Sequence, residues 1–423
     1  MGYTLSSPAN AGGWNNADVT VTFTCADTLS GVATCSAPVT VGEGANQVIT
    51  GTAVDNAGNT STLDVTVSVD KTKPTIAAAI LPLPNAADWN NTDAVVSFSC
   101  LDALSGIASC SSPVHVSSET TGQVITGTAV DNAGNTQTAQ TTVKLDKTAP
   151  AITYALNPAP NAAGWNSADV TVTFTCTDPG TAASGIASCT SPQTVSTQAA
   201  NQTVTGTAID RAGNITQTTA TINLDKTKPT ITATVSPAPN AAGWNGRANV
   251  SPTGTGNVTV SFTCTDPGPS GIGVGSGVAT CSSPVAVSTN TLGQVVTGTV
   301  VDLAGNTQTT QVTVKIDRTI PTVSNVSVNP GVIVFNPLVS ITATAADPSG
   351  NGNVASGVIG GEYFIDTDPG EGNGNAMTYS GGQLSASTHI TGLNVGPHTL
   401  YVRSLDAAGN WSLKSSTGFV FVF

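Results

Sequence analysis

Charge is scarce in this 423-residue sequence: Asp, Glu, Lys and Arg together make up 9% of it, against about 25% in a typical soluble protein. The 25 acidic residues outnumber the 12 basic ones, which gives a net charge of −13. Because nucleic acids and anionic membranes are negatively charged, this balance argues against them as partners. No run of about 18 apolar residues occurs, so the sequence predicts no membrane-spanning helix.

Residues and motifs of the common enzyme classes are also missing. There are only three histidines, His115, His389 and His398, and neither a Gly-x-Ser-x-Gly nor a His-Glu-x-x-His motif occurs. The Gly-rich stretches 268–277 and 370–374 do not precede helical patterns, so they predict no phosphate-binding loop. We therefore expect a chain without enzymatic activity.

The sequence is rich instead in residues of strands and turns. It has 44 Gly and 24 Pro, and Val, Thr and Ile recur in alternation, as in the run 19–25 (VTVTFTC). Alternation with a period of two, with turn residues between the runs, is typical of short β-strands. The sequence therefore predicts an all-β protein.

Four segments of the chain repeat one plan, which is the strongest signal in the sequence. Each begins with a Trp-Asn motif, continues through an alternating run that ends in Cys, and reaches a second Cys after a loop. A strand then ends in Asp-x-Ala-Gly-Asn, and a last strand leads into a linker of the form Asp-(Lys/Arg)-Thr-x-Pro. The Trp-Asn motifs lie at 14–15, 89–90, 165–166 and 244–245, the Asp-x-Ala-Gly-Asn motifs at 55–59, 131–135, 210–214 and 302–306, and the linkers at 70–74, 146–150, 225–229 and 317–321.

A fifth segment follows the last linker and diverges from this plan. It keeps Asp-Ala-Ala-Gly-Asn at 406–410 but has no cysteine. The repeats lengthen toward the C-terminus within loops (178–184, 246–256 and 266–277), as expected for surface insertions on a constant frame of strands. We therefore predict five domains, 1–72, 73–148, 149–227, 228–319 and 320–423.

The repeated unit resembles the bacterial Ig-like domains that occur in tandem in large secreted adhesins and cell-surface proteins. The resemblance rests on Asp-x-Ala-Gly-Asn and on the linker 69–74 (VDKTKP), and it covers essentially the whole chain. It implies an all-β fold of five tandem Ig-like β-sandwich domains in an extended rod. The two cysteines per repeat are a departure, because most such domains have none.

The resemblance also implies a function, namely a non-catalytic stalk, spacer or filament segment of a bacterial surface or secreted protein. Its partners would be other surface or matrix proteins or glycans, outside the cell. The alternative is an accessory region of a secreted polysaccharide-active enzyme, in which the fifth domain binds glycans through Tyr363, Tyr379, Tyr401 and Trp411. Since the sequence ends inside an apparent strand, we expect it to be a piece of a longer protein.

The eight cysteines form four local pairs, one in each of the first four repeats. Even, local spacing around one loop predicts a disulfide in an oxidising compartment, and no histidine accompanies any pair to complete a zinc site. Each bridge would pin its loop and contribute roughly 3 kcal/mol in the loop-entropy model. The predicted pairs are Cys25/Cys35, Cys100/Cys110, Cys176/Cys189 and Cys264/Cys281.

Aspartates recur at three positions that an Ig-like sandwich brings to one end: the start of each linker, the loop after the second strand of the next repeat, and the start of that repeat's Asp-x-Ala-Gly-Asn turn. Three carboxylates alone would repel one another, and Ca²⁺, with about 6–8 oxygen ligands, would relieve the repulsion. Related adhesin domains bind Ca²⁺ at junctions, so the resemblance points the same way. The predicted sets are Asp70, Asp102 and Asp131; Asp146, Asp178 and Asp210; Asp225, Asp266 and Asp302; and Asp317, Asp347 and Asp406.

The alternative is a structural role for the same aspartates. Asp-x-Ala-Gly-Asn is also a good hairpin turn, and basic linker residues could neutralise the carboxylates directly. Half of the chain's 12 basic residues lie in the linkers, which favours this alternative. The residues concerned are Lys71, Lys73, Lys147, Lys226, Lys228 and Arg318.

Two further features carry expectations of their own. The loop that contains Asp366, Asp368, Glu371 and Asn373 is a separate oxygen-rich candidate for Ca²⁺, although its ligand order departs from an EF-hand. The Trp of each repeat is interpreted as a hydrophobic plug at the far end of the sandwich, in preference to a sugar-stacking residue.

Overall fold

The computed structural model describes residues 1–250, 256–268, 275–335, 337–350 and 352–422. Within these residues the chain forms 33 strands and one four-residue helix, α1 (Arg247–Val250), which confirms the all-β prediction. None of the described helical structure is long and apolar enough to cross a membrane. The chain divides into two compact units: Met1–Asn157, Thr171–Gln193 and Thr203–Ala220 form the first, and Pro158–Val170, Thr194–Gln202 and Thr221–Phe423 form the second.

The first repeat has six strands: β1 (Gly2–Leu5), β2 (Val19–Thr24), β3 (Val32–Cys35), β4 (Val39–Val41), β5 (Gly44–Asp55) and β6 (Thr60–Val69). They pair antiparallel into two sheets, β1-β2-β4 and β3-β5-β6. Along β2, Val19, Val21 and Phe23 are buried while the threonines between them are not. These side chains meet Val65 and Val67 of the other sheet in one core, so the repeat is a β-sandwich.

The second repeat repeats this plan with β7 (Thr75–Leu81), β8 (Ala94–Leu101), β9 (Ile107–Cys110), β10 (Val114–Val116), β11 (Thr120–Asp131) and β12 (Thr136–Leu145). Its sheets have the orders β10-β8-β7 and β12-β11-β9. The third repeat has β13 (Ala151–Asn157), β14 (Val170–Thr177), β15 (Ile186–Cys189), β16 (Gln193–Val195), β17 (Ala199–Asp210) and β18 (Ile215–Leu224). Here β13 pairs with β14, and β15 with β17, in the same registers as in the earlier repeats.

The fourth repeat has β19 (Thr230–Ser236), β20 (Trp244–Asn245), β21 (Val258–Thr265), β22 (Val278–Cys281), β23 (Val285–Val287), β24 (Thr291–Asp302) and β25 (Thr307–Ile316). Its sheets are β19-β21-β23 and β20-β25-β24-β22. The additional strand β20 is the Trp-Asn motif, which runs parallel to the end of β25.

The fifth repeat has β26 (Thr322–Asn329), β27 (Val332–Val334), β28 (Leu338–Ala346), β29 (Val358–Ile365), β30 (Asn375–Ser380), β31 (Gln383–His389), β32 (Gly396–Asp406) and β33 (Ser415–Val422). They follow one another in the order β26-β28-β31-β30-β29-β32-β33-β27 around a core that includes Ile341, Tyr363, Leu384 and Leu400. The chain is thus built of tandem Ig-like β-sandwich repeats. The count of five and the domain bounds stay predictions.

A glycine lies against the ring of the one Phe in the second strand of each of the first four repeats. A Cβ added at Gly127 would lie 2.3 Å from the ring of Phe98, and Gly51, Gly206 and Gly298 make the same close approach to Phe23, Phe174 and Phe262. Because glycine has no side chain, the backbone of the opposite sheet packs directly against the Phe ring. This contact fills the core of a sandwich that has few aromatic residues.

The structure forms the four predicted disulfides, and no free cysteine is found. Their Cα atoms lie 5.9–6.0 Å apart. Each bridge closes the loop between the second and third strands, as predicted, and because these strands belong to opposite sheets it also ties the sandwich together at that end. In the second repeat this loop contains Asp102.

Candidate metal centres at the repeat junctions

The structure brings together all four predicted aspartate triads. Each consists of a linker Asp (Asp70, Asp146, Asp225 or Asp317), a loop Asp (Asp102, Asp178, Asp266 or Asp347) and a turn Asp (Asp131, Asp210, Asp302 or Asp406). Within each triad one carboxylate oxygen per residue lies within 4.8 Å of the others. The linker Asp ends one repeat and the other two belong to the next, so every triad lies at a junction between consecutive repeats.

The Trp-Asn motif holds the linker Asp in place. Asn90 donates its backbone N–H to Lys144 O (2.9 Å) and accepts from the backbone N–H of Asp146 (3.0 Å) at its own carbonyl. This isolated parallel bridge recurs in the first three repeats, and β20 forms its counterpart in the fourth. The motif therefore pairs with the end of the last strand and fixes the backbone of the linker Asp at the point where the chain leaves the repeat.

The linker Asp joins the two repeats through hydrogen bonds. Oδ1 of Asp146 accepts from the backbone N–H of Thr148 in its own linker (3.0 Å), and Oδ2 accepts from the backbone N–H of Ser184 in the next repeat (2.7 Å). Asp70, Asp225 and Asp317 make the corresponding pairs of bonds. Each linker carboxylate therefore accepts one backbone N–H from its own linker and one from the next repeat, and these bonds connect the two repeats.

The turn Asp closes the predicted Asp-x-Ala-Gly-Asn turn. Oδ1 of Asp210 accepts from the backbone N–H of Asn214 (2.8 Å) and Oδ2 from the Asn214 side chain (2.8 Å). The same Asn214 amide also donates to the carbonyl oxygen of Asp146 (3.0 Å). The turn asparagine therefore binds the linker as well as its own turn, a role that the sequence analysis missed. Asn135, Asn306 and Asn410 do the same.

Two of the three aspartates in each triad are buried, and the described residues place no basic side chain in an ion pair with any triad. The linker and turn aspartates are 0–1% exposed, and none of the ion pairs that the structure describes involves a triad residue. Lys71, Lys147 and Lys226 bind Asp18, Asp93 and Asp169 instead, at 2.7–2.8 Å, and Arg318 donates to the carbonyl oxygens of Ser288 and Gly256. Direct neutralisation of the triads by these four linker residues is therefore wrong.

Burial raises the pKa of Asp178, Asp266 and Asp347 above the ordinary value. Neighbouring carboxylates raise it further: the linker and turn aspartates act on Asp178 and Asp266, and Asp317 acts on Asp347. In the fourth triad burial raises the pKa of Asp406 to about 6, with smaller contributions from Asp347 and Asp317. Desolvation and like charge both disfavour an ionised carboxylate.

The donor atoms of the triads fit a hard divalent cation. Oδ1 of Asp178, Asp266 and Asp347 is buried without a hydrogen-bond partner, which leaves one acceptor in each of these three triads unsatisfied. All the side-chain donors are carboxylate oxygens, the ligands that Ca²⁺ prefers. The first triad differs, because neither carboxylate oxygen of Asp102 is both buried and without a hydrogen-bond partner. Oδ2 of Asp102 accepts from the backbone N–H of Gly106 (2.7 Å).

Asp366 and Asp368 do not join an acidic cluster among the described residues. Asp366 accepts from the backbone N–H of Thr399 (2.8 Å) and pairs with His398 (2.6 Å). Asp368 pairs with Arg403 (3.3 Å) and Lys414 (3.4 Å). The pKa of Asp366 is lowered most by the hydrogen bond from the backbone N–H of Thr399 and less by His398. The pKa of Asp368 is lowered most by the hydrogen bond from the backbone N–H of Gly370 and less by Arg403 and Lys414.

The four aromatic residues expected to form a glycan platform do not share one surface. Tyr363 is 6% exposed and belongs to the core, and Tyr379 packs against that core. Tyr401 stacks on Phe364 with ring centroids 5.3 Å apart, and the guanidinium of Arg403 lies 5.6 Å from the Trp411 ring. The strand alternation that buries Tyr363 separates it from Tyr401, which pairs with the neighbouring position of β29.

Comparison with solved structures finds tandem domains of adhesion proteins and related modules. A tetra-tandem repeat in the extending region of a large adhesion protein is 17% identical, with a TM-score of 0.28 and coverage of 99% of this chain and 98% of that one. The extracellular domain of protocadherin gamma B4 is 15% identical (TM-score 0.30, coverage 89% and 71%). The fibronectin(III)-like modules of Clostridium thermocellum CbhA are 16% identical (TM-score 0.27, coverage 45% and 94%). No protein-family model and no curated protein matches the chain.

Proposed function

We propose that this chain is a non-catalytic extracellular structural or adhesive segment whose consecutive repeats are fixed to one another by Ca²⁺. The observation that carries the proposal is the set of four aspartate triads, each with two buried members and with no basic partner among the residues that the structure describes. The four disulfides support an oxidising, extracellular location, because thiols stay reduced in the cytosol.

Charge balance supports a cation in each triad. Three ionised carboxylates within 4.8 Å of one another repel, and burial strengthens the repulsion because water no longer screens it. A divalent cation would supply the missing positive charge and a partner for the unsatisfied oxygens of Asp178, Asp266 and Asp347. Since the linker Asp comes from the preceding repeat, binding would couple the two repeats.

The residues of each junction have separate roles in this proposal. The Trp-Asn motif orients the linker Asp, and the turn asparagine fixes the turn Asp relative to the linker. In the first three junctions a disulfide restrains the loop that carries the loop Asp. At a Ca²⁺ concentration about 100 times the dissociation constant, each site would add roughly 2.7 kcal/mol to the free energy of unfolding.

Calorimetric titration of the metal-free full chain with CaCl₂ tests the proposal. We expect four bound ions, three for Asp146→Asn, and four for the matched control Asp169→Asn, which changes an exposed carboxylate outside the triads. A chelator should lower the melting temperature of the wild-type chain. Absence of binding at millimolar Ca²⁺, or the same stoichiometry for Asp146→Asn and Asp169→Asn, would overturn the proposal.

A further inference from the structure

Each of the first four repeats contacts the next one through a second element, which we call the docking loop. Its sequence is Asn-Ala-x-x-Trp, and its first asparagine donates its side-chain N–H to a backbone carbonyl oxygen of the following repeat. The loops lie at 10–14, 85–89, 161–165 and 240–244. The bonds run from Asn10 to Asn132 O (2.7 Å), from Asn85 to Arg211 O (2.8 Å), from Asn161 to Leu303 O (2.8 Å) and from Asn240 to Ala407 O (3.0 Å).

Hydrogen bonds within the docking loop orient the side chain of its asparagine. Oδ1 of Asn85 accepts from the backbone N–H groups of Ala87 (2.9 Å) and Trp89 (3.1 Å), and the backbone N–H of Asn85 donates to Trp89 O (2.8 Å). Both of these backbone N–H groups bind the oxygen of the Asn85 side-chain amide. The amide nitrogen therefore points away from the loop and is free to donate to the next repeat. The loop therefore presents one oriented N–H group to the next repeat.

The docking loop and linker cover one receptor, the Asp-x-Ala-Gly-Asn turn of the next repeat. The bonded carbonyl belongs in each case to the second residue of this turn. The turn alanines Ala133, Ala212, Ala304 and Ala408 are 3–4% exposed. At the last junction Trp244 packs against Ala408 and Val354 of the fifth repeat. The Trp plug of the far end is therefore part of an inter-repeat contact.

The first repeat carries the same receptor without a cover. Its turn at 55–59 has the internal bonds of the others, from the Asn59 backbone N–H to Asp55 Oδ1 (2.9 Å) and from the Asn59 side chain to Asp55 Oδ2 (2.8 Å). Ala57, Gly58 and Asn59 are nevertheless exposed. Asp27, Asp55 and Asn59 line a cavity of about 230 Å³ at this end.

We propose that the turn at 55–59 is a docking surface for a further repeat of this same type, received through its docking loop and its Asp-(Lys/Arg)-Thr-x-Pro linker. The four occupied turns of this chain show two kinds of contact. The asparagine of the docking loop donates to the carbonyl oxygen of the turn's second residue, and the asparagine of the turn donates to carbonyl oxygens of the linker. These bonds use no carboxylate of the triads, so they can be tested in a chelator, separately from the Ca²⁺ binding of the proposed function.

The occupant is a repeat whose docking loop is unbound, and not a second copy of this chain. In a second copy the four docking loops already bind their own following repeats. The fifth segment, 320–423, contains no Asn-Ala-x-x-Trp sequence. A second copy therefore has no free loop to offer.

Amide hydrogen exchange in the presence of a chelator tests this proposal. The sample is the full chain extended by a second copy of residues 1–75 placed before residue 1, and the readout is the exchange rate of the amides at 55–59. We expect about tenfold slower exchange than in the unextended chain, toward the rate at 131–135. The matched control carries Asn10→Ala in the added copy and should lose several-fold of this protection.

A second variant guards against misfolding of the extension. Asn85→Ala in the unextended chain should speed exchange at 210–214 several-fold and leave 131–135 unchanged. Unchanged exchange at 55–59 in the extended chain would overturn the proposal, and so would concentration-dependent protection of 55–59 in the unextended chain, which would show that a second copy binds there. Failure of Ca²⁺ binding changes none of these outcomes, since the chelator is present throughout.

Discussion

Acid should stabilise the metal-free fourth junction, because burial raises the pKa of Asp406 to about 6 from 3.8. The folded chain then holds the proton of Asp406 more tightly than the unfolded chain does. Stability therefore rises as the pH falls through about 6 and levels off below about 4. The full effect is about 3 kcal/mol, and about 1 kcal/mol of it should be present at pH 5.5 relative to pH 7.5.

Calcium should reverse this pH dependence. Asp406 must lose its proton to coordinate a cation, so acid competes with the metal. In saturating Ca²⁺ the junction should lose stability between pH 7.5 and pH 5.5, since the binding contribution falls as the apparent affinity falls. The opposite slopes in chelator and in Ca²⁺ distinguish a metal-binding carboxylate from one that is merely buried.

Differential scanning calorimetry at the two pH values, in chelator and in Ca²⁺, measures both slopes. His398 lies in the same repeat, and hydrogen bonds from its ring to Asn394 O and to Asp366 raise its pKa, so it also favours the folded state at the lower pH. Asp406→Asn should therefore remove most of the acid stabilisation but not all of it.

A matched control comes from the first repeat, where Asp55 makes the same turn bonds as Asp406 without a linker Asp beside it. Hydrogen bonds from Asn59 lower the pKa of Asp55, so Asp55→Asn should leave the pH slope between 5.5 and 7.5 intact. The reasoning would be refuted if the metal-free wild-type chain lost stability on acidification, or if Asp406→Asn kept the full gain.

Three further predictions concern the sandwiches themselves. Peptide mapping without reductant should find the four disulfides within their own repeats, and a link between repeats would contradict the assignment. The double variant Cys100→Ser, Cys110→Ser should lower the free energy of unfolding of the second repeat by roughly 3 kcal/mol, measured by urea denaturation. Gly127→Ala should lower the free energy of unfolding by about 1–3 kcal/mol, because the added Cβ would lie 2.3 Å from the Phe98 ring. The control Gly122→Ala in the same strand, where the added Cβ would lie 3.6 Å from its nearest neighbour, should be almost neutral in the same assay. Glu362→Gln should destabilise the fifth repeat by about 1–3 kcal/mol, since a neutral amide replaces the buried carboxylate beside Arg403, which keeps Asp368 as its second partner. Equal stability of this variant and the wild-type chain would contradict the role of the pair.

The strands and the triads could be predicted because each rests on a local pattern that recurs. The alternation of apolar residues with Thr in 19–24 predicts which side chains face the core, since successive residues of a strand point to opposite sides. Each aspartate of a triad is marked by its own motif, and the sandwich topology places the linker, the loop and the turn at one end. The prediction of the triads therefore needed the order of strands but no distances.

The partners of polar side chains could not be predicted in this way. Lys71 lies beside Asp70 in the sequence yet binds Asp18, because its side chain extends along the surface of its own repeat while Asp70 faces the next. Tyr363 and Tyr401 are separated by the alternation of paired strands, whose register the sequence does not state.

The sequence by itself determined the fold class, the tandem repetition, the pairing of the cysteines and the membership of the four triads, since all of these follow from periodicity and from motifs that recur at fixed places. Only the tertiary structure decided what covers each motif. The five-residue turn at 131–135 buries Ala133 beneath the preceding repeat, and the same turn at 55–59 leaves Ala57 exposed. The motif is the same in both turns. Its burial, and the availability of a docking surface, depend on which segment, distant in sequence, packs against it.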